Sequence, residues 1–476
     1  MAISASIIGL GKLGACMAAA MASRGVRTIG VDVKAATVEK VQQKLAPVYE
    51  PGLDEMMISC DSLLSATTDM QASIHETQIT FVVVPTPSNE EGAFSLEHVR
   101  AAVESIGRAL HDKAEYHTVV VTSTVLPGST EYFAKPLLER VSGKRCGQDF
   151  GLCYSPEFIA LGSVLRDFLN PDFVLIGECD SRAGDQLEAF YREMVRIDAR
   201  AVRMTPVNAE LAKIALNTFV TTKITFANML AEICEQLPGG DVDAVTSALG
   251  LDRRIGPKYL KGALGYGGPC FPRDNSALVR FLEEMGVSAQ LPRAVDQMNR
   301  RQTMRIASMI EQLNLGDPRR VAVLGLAYKP DTNVVEESQG VAIARLLAQK
   351  GFRVSVYDPV AMEPASRELG HTVEYGDSIA DCVRGAQAIV IATDWPDFRL
   401  VAYQLANSKP RPLILDGWRM LRSSSGSTEI AYRGIGIGYP QRDLRERLRR
   451  FIEKLGQPTS APGVAYQAPI GKVAAG

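Results

Sequence analysis

A chain of 476 residues exceeds one ordinary hydrophobic core, so two or three domains are expected. Its apolar (46%) and charged (22%) fractions are those of a soluble globular protein, and a formal net charge of −2 gives no pull toward nucleic acid or an anionic membrane. Eight scattered cysteines with no CxxC pair, and five histidines with no metal spacing, argue against a disulfide framework and a zinc site, and a reducing cytoplasm is the expected setting.

The apolar start is a β-branched run and a Gly-rich turn without a leading basic region, unlike a signal peptide. No later apolar stretch approaches the ~20 residues that span a bilayer. Through residue 204, short apolar runs alternate with helical patterns, the texture of a doubly wound parallel sheet. Strands are predicted at 5–10, 28–32, 80–85, 118–123, 151–154 and 173–177, rich in Val and Ile as doubly buried strands are. Thr205-Pro206 then opens a helix running to about residue 237, free of Gly and Pro after its start. Its apolar residues fall on more than one face, so it packs against other helices or another subunit. From Arg320 the strand–helix alternation returns, with strands at VAVLGL, RVSVY, AIVIA and PLILD and a helix at 338–349. The fold expected is α/β: two Rossmann-like units (1–204 and 313–456) joined by a helical segment (205–312), with a disordered tail (457–476) rich in Ala, Gly and Pro.

Gly9-Leu-Gly11-Lys12-Leu13-Gly14 follows a strand and precedes a small-residue helix. The first Gly permits the tight turn, the second lets a pyrophosphate approach the backbone, and the third closes helix on strand. A second strand ends at Asp32, whose carboxylate suits a ribose 2′-OH and repels a 2′-phosphate, favouring NAD over NADP. FAD satisfies this motif equally. The second unit has Gly325 but no second or third Gly nearby, which points to a mononucleotide or sugar nucleotide rather than a dinucleotide.

The most informative stretch is GALGYGGPCFPRD (262–274). Its glycines let backbone approach a ligand, and Cys270 stands just before Pro272 at a helix start, beside Arg273, where a thiol pKa is expected to fall. Asp274 follows Cys270 by one helical turn. Lys213 and Asn217 form an i, i+4 pair on the long helix with Glu210 one turn earlier; Lys213 either snorkels to water or is buried at a site. Glu157 in YSPEF, Thr86 in PTP and Thr124 after Ser123 each end a strand, on the rim where parallel sheets bind ligands.

GLGKLG, PTP, STVLPGST, SPEF, AELAKIALNTF, RRIGPKYL, GYGGPCFPRD and GLAYK, in this order, resemble the UDP-glucose/GDP-mannose dehydrogenase family over nearly the whole chain. The resemblance implies a four-electron oxidation of a nucleotide-sugar C6 alcohol to a carboxylate with two NAD⁺, in which Cys270 adds to the aldehyde and a thioester follows. It also implies that Lys213, Asn217 and a water held by Thr124 and Asp274 stabilise oxyanions, and that Glu157 activates water for hydrolysis. By position, Gly9, Gly11, Lys12, Leu13, Gly14, Asp32, Thr86, Thr124 and Arg273 would meet NAD. Phe158, Ile159, Ala160, Leu161, Lys213, Asn217, Arg254 (across a homodimer), Tyr259, Gly267, Lys329 and Arg419 would meet substrate. The chain departs from the family at Ile159–Gly162, where a basic–acidic pair is usual, and at Asn333, Val334 and Glu336, where two acidic residues and an Arg are usual; Trp418 likewise replaces an Arg. UDP-glucose is the first expected substrate, with a UDP-N-acetylhexosamine, dTDP-glucose or GDP-mannose as alternatives, and a catalytically inactive binding protein as the alternative of a different class.

Overall fold

The computed structural model describes residues 3–60, 62–405, 411–422, 431–439 and 442–455; the expected disordered tail lies outside the described residues. The first sheet holds β1 (Ser4–Ile8), β2 (Arg27–Val31), β3 (Leu64–Thr67), β4 (Ile79–Val82), β5 (His117–Val121), β6 (Phe150–Tyr154), β7 (Phe173–Glu178) and β8 (Arg200–Met204), in the order β3-β2-β1-β4-β5-β6-β7-β8. The second holds β9 (Arg320–Leu324), β10 (Arg353–Tyr357), β11 (Glu374–Tyr375), β12 (Ala388–Ile391), β13 (Leu413–Asp416) and β14 (Ala431–Gly434), ordered β11-β10-β9-β12-β13-β14. Both reverse direction beside their first strand, and that switch point is where such sheets take ligands.

The central strands β4, β5, β6 and β12 are buried along their length, so their apolar runs do not alternate. The all-parallel expectation fails at one pair, for β6 and β7 run antiparallel through Cys153–Glu178 and Tyr154–Gly177. The connection between them, with the short helix Val164–Leu169, stays at the rim where β6 ends. β7 therefore starts from that rim in the opposite sense. β3 and β8 escape a sequence reading because they are short or charged. β8 carries two arginines, and Arg203 pairs with Glu178, Asp185 and Glu188.

The predicted long helix is Pro206–Glu235, 30 residues with Pro206 in its first turn, spanning about 45 Å at ~1.5 Å per residue. One face packs on the helices Phe271–Glu284 and Gln290–Glu311. Leu211, Phe219, Phe226 and Ile233 remain exposed on it. No helix among the described residues is long and apolar enough to cross a membrane.

Candidate active site

The rim of the first sheet is built by its turns. Gly9 has φ +100°, and a Cβ there would lie 2.5 Å from the Val83 carbonyl oxygen; a Cβ on Gly14 would lie 1.9 Å from that of Gly9. Both glycines are therefore required by packing. Gly11 is different: a Cβ there would meet no protein atom within 4 Å, so the space above it is open to a phosphate at the start of the helix Gly14–Ser23. Asp32 accepts from Leu10 N and Lys34 N, each at 2.9 Å, and stays half-exposed at the end of β2, as a ribose partner must. These residues fit an NAD dinucleotide. Lys12 stands exposed in the same turn, and Leu13 packs partly into the core. Crowding pulls the Lys12 ammonium below its ordinary range, against the pull of Glu336 and Cys270, so the glycine turn, the C-terminal unit and the thiol face one cleft. Thr86 is buried and donates to the Thr124 carbonyl at 2.8 Å, joining the loops after β4 and β5.

The long helix supplies the next layer. Glu210, Lys213 and Asn217 lie on one face by helical spacing, and all three are buried. Glu210 accepts from Thr130 N at 2.7 Å and fixes the loop after β5. Lys213 Nζ donates to the Glu157 carbonyl at 2.6 Å and sits 4.7 Å over the Phe158 ring, which settles its two readings in favour of a buried cation. Burial lowers its pKa, while Asp274, Cys270 and Glu157 favour its charge. Asn217 donates to Asp274 Oδ2 at 2.7 Å, and Arg273 meets Asp274 Oδ1 at 2.9 Å. Asp274 is buried one turn after Cys270, bonded N–H to the Cys270 carbonyl at 2.8 Å. Arg273 also lies 4.9 Å over the Phe94 ring.

Several expectations need correction. Cys270 does begin the helix Phe271–Glu284 and is exposed to the cleft, but its thiol pKa is raised, not depressed. Desolvation by the surrounding protein and the Asp274 carboxylate outweigh Arg273 and Lys213. The four glycines before it serve protein packing. Cβ atoms there would lie 2.5 Å from Ala227 O (Gly262), 2.5 Å from Asn299 Oδ1 (Gly265), 2.2 Å from Glu337 O (Gly267) and 2.7 Å from the Tyr328 ring (Gly268). Gly267 thus welds the cysteine loop to the C-terminal unit, helped by Gly268 N donating to Glu336 O at 3.0 Å. Arg419 is held within the protein. Its side chain is buried, paired with both oxygens of Asp243 at 2.7 and 2.8 Å and bonded to Ile435 O at 2.8 Å. It is a strut between central and C-terminal segments.

The remaining residues expected to meet substrate divide. Ile159 and Leu161 pack on the first core, and Phe158 stacks against Phe173 with centroids 4.8 Å apart. Ala160 N donates weakly to Asp167 at 3.4 Å. Lys329 of the C-terminal unit reaches this loop: burial lowers its pKa against the pull of Glu50, Asp167 and Asp331. Tyr259 (φ +63°) is exposed and meets Phe271 edge-on at 6.5 Å. Arg254 is exposed and paired with Asp252 at 2.6 Å.

Three partners escaped the sequence reading. Tyr191 is buried and donates to Glu157 Oε1 at 3.0 Å. Burial raises the Glu157 pKa to about 7, with Tyr191 and Lys213 opposing. Glu50, also buried, accepts from Gly162 N and Val164 N at 2.8 and 2.7 Å, pinning the loop that follows Ile159. Asn275 accepts from Thr218 at 2.9 Å and orders the helix that carries Asp274. Nothing in sequence separates Tyr191 from a core aromatic of an amphipathic helix.

The chain matches the UDP-glucose/GDP-mannose dehydrogenase family in three consecutive parts: its NAD binding domain over residues 3–195, its central domain over 207–301 and its UDP binding domain over 322–423. It is 36% identical over 424 residues to the UDP-glucose 6-dehydrogenase of Haloferax volcanii, covering 88% of this chain and 98% of that one. It shares 34% identity over 357 residues with the GDP-mannose 6-dehydrogenase of Pseudomonas putida, 74% of this chain and 80% of that one. A solved UDP-glucose dehydrogenase from the hyperthermophilic archaeon Pyrobaculum islandicum aligns with TM-score 0.84 at 35% identity, covering 92% of this chain and 98% of that one. With an open glycine turn on one sheet, a second sheet unit facing it and a thiol between them, the chain belongs to the UDP-glucose/GDP-mannose dehydrogenase family of NAD-dependent nucleotide-sugar 6-dehydrogenases.

Proposed function

We propose that this chain oxidises the C6 hydroxyl of a UDP-hexose, UDP-glucose first, to the carboxylate through a covalent bond to Cys270. One observation carries the reading: an exposed thiol shares a cleft with a buried lysine whose Nζ reaches the backbone of Glu157, a carboxylate with a pKa of about 7. When bound, NAD⁺ supplies the hydride acceptor for both oxidations. A planar aldehyde has no hydride to give while it stays planar, so the second oxidation needs a tetrahedral adduct, and the Cys270 thiol provides it. Addition of the thiol forms the S–C bond, and its proton passes to the aldehyde oxygen to give the thiohemiacetal. Lys213 and Asn217 stabilise the oxyanions, and Thr124 with Asp274 hold the water that manages the first proton. Glu157, oriented by Tyr191, takes a proton from the water that hydrolyses the thioester. UDP-glucose is favoured because relatives at 31–36% identity carry that name, and similarity to GDP-mannose enzymes keeps the rival sugars in the test.

Incubation with NAD⁺ and a panel of nucleotide sugars, counting NADH per sugar consumed, tests this. Two NADH and a uronate from UDP-glucose are expected; one NADH with free aldehyde sinks the covalent route, and turnover of another sugar alone replaces the substrate. Cys270→Ser should cut acid formation on the order of 10³-fold or more. The exposed Leu211, Phe219, Phe226 and Ile233 of the long helix form the face through which we infer a homodimer. A monomeric mass by sedimentation at micromolar concentration would rule that out.

A further inference from the structure

Of the eight cysteines, five are buried, Cys153 among them beside the remaining pair, and Cys270 belongs to the cleft, which leaves Cys146 and Cys179, both partly exposed. Cys146 lies just before β6, and Cys179 just after the antiparallel β7, so both stand at the sheet edge opposite the rim that carries Gly9 and Glu157. Cys146 bridges to Phe150, and Cys179 N donates to Leu152 O at 3.0 Å, which brings the two short segments side by side on β6. One residue further on, the Cβ position of Gly147 is 3.3 Å from Asp180 Cβ. The backbones therefore pass at about the Cβ spacing of ~3.5–4.5 Å that a disulfide requires. The neighbouring Cys179 thiol, acting as donor, holds Cys146 below the ordinary thiol range, helped by Lys135. The partner Cys179 is pushed the other way.

We propose that Cys146 and Cys179 form a reversible dithiol–disulfide site on the NAD-binding unit, separate from the cleft thiol, with a low-molecular-weight disulfide as its oxidant. Cys146, as thiolate, attacks one sulfur of the small disulfide, breaks its S–S bond and releases one small thiolate, which takes a proton from water. Cys179 then loses its proton to solvent and displaces the second small thiol from Cys146. Two protein thiols are oxidised, and one small disulfide is reduced to two thiols. The attacking role falls to Cys146 because it is the sulfur whose charge its neighbour stabilises.

The test incubates the full chain with oxidised glutathione, alkylates the remaining thiols and maps peptides by mass. The expected result is a Cys146–Cys179 cross-linked peptide with a mass loss of about two hydrogens, reversed by dithiothreitol. Cys146→Ala should abolish the cross-link, leave Cys179 open to alkylation and keep the reduced enzyme fully active. Two independently alkylated cysteines, or a glutathione adduct that persists on Cys146 without a cross-link, would overturn the assignment.

Discussion

The two sheet units repeat one turn and put it to opposite uses. In the N-terminal unit a Cβ on Gly14 would strike the Gly9 carbonyl oxygen at 1.9 Å, and in the C-terminal unit Gly340 stands to Gly325 in the same relation, again at 1.9 Å. Gly9 N bonds to Val31 O and Gly325 N to Tyr357 O, at 2.7 and 2.9 Å. The carboxylates that follow the second strands then diverge. Asp32 keeps two backbone donors and remains half-exposed. Asp358 is fully buried and accepts from Leu326, Ala327, Val360 and Ala361 N–H groups and from Trp395 Nε1. The glycine pair is five residues apart in the first unit and fifteen in the second, and the added chain carries Lys329 and Glu336 toward the other unit. The first copy keeps a short loop and an accessible carboxylate, and the second lengthens its loop and internalises its carboxylate.

The largest expected effects test that divergence directly. Asp358→Ala strands four backbone donors and should cost about 3–5 kcal/mol in denaturant unfolding. Asp32→Ala should cost about 1 kcal/mol or less in stability, yet raise the KM for NAD⁺ on the order of tenfold. Equal stability losses would erase the contrast. Next come the glycines. Gly14→Ala and Gly340→Ala should each destabilise by about 2–4 kcal/mol, since backbone must shift to admit the methyl. Gly11→Ala should leave stability within about 0.5 kcal/mol and weaken NAD⁺ binding measured by calorimetry, because only a ligand occupies its space. A destabilised Gly11→Ala chain with unchanged affinity would contradict that.

The smallest effect lies in pH dependence. On the proposed route Glu157 is the hydrolytic base and serves only when ionised, so thioester hydrolysis in single turnover should rise through a pKa of about 7 and lose that limb in Glu157→Gln. Tyr191→Phe removes a hydrogen bond that favours the carboxylate, so the limb should move to higher pH, by about one unit at most. The linkage has the opposite sense for stability. A carboxyl whose folded pKa is raised contributes stability below the unfolded value of 4.5, and that contribution is lost as pH rises through about 7. A hydrolysis midpoint that stays put in Tyr191→Phe would remove Tyr191 from its positioning role.

What was legible in sequence follows from where the signal is local. Gly9–Gly14, the long helix and Cys270 each declare themselves within a few neighbours, and the structure places them as expected. Gly340 was invisible because its partner Gly325 lies fifteen residues away, outside any short motif. The thiol pKa was misjudged because a helix start and an arginine are readable from sequence, whereas the cleft walls that desolvate Cys270 are not. The Arg419–Asp243 pair could not be foreseen because Asp243 is distant in the chain. The antiparallel β7 could not be foreseen, since an apolar run has no direction.

The long helix also sets a rule about chain length. Glu210, Lys213 and Asn217 contact the loop after β5, the loop after β6 and the cysteine helix in turn, and Asn228 receives Ala263 N while donating to Leu264 O. Four attachments from separate parts of the molecule thus share one helical phase. Inserting or deleting a single residue between Lys213 and Asn217 turns everything beyond it by about 100° and slides it by ~1.5 Å. The number of residues along this stretch is therefore fixed, whereas surface turns elsewhere accept insertions freely.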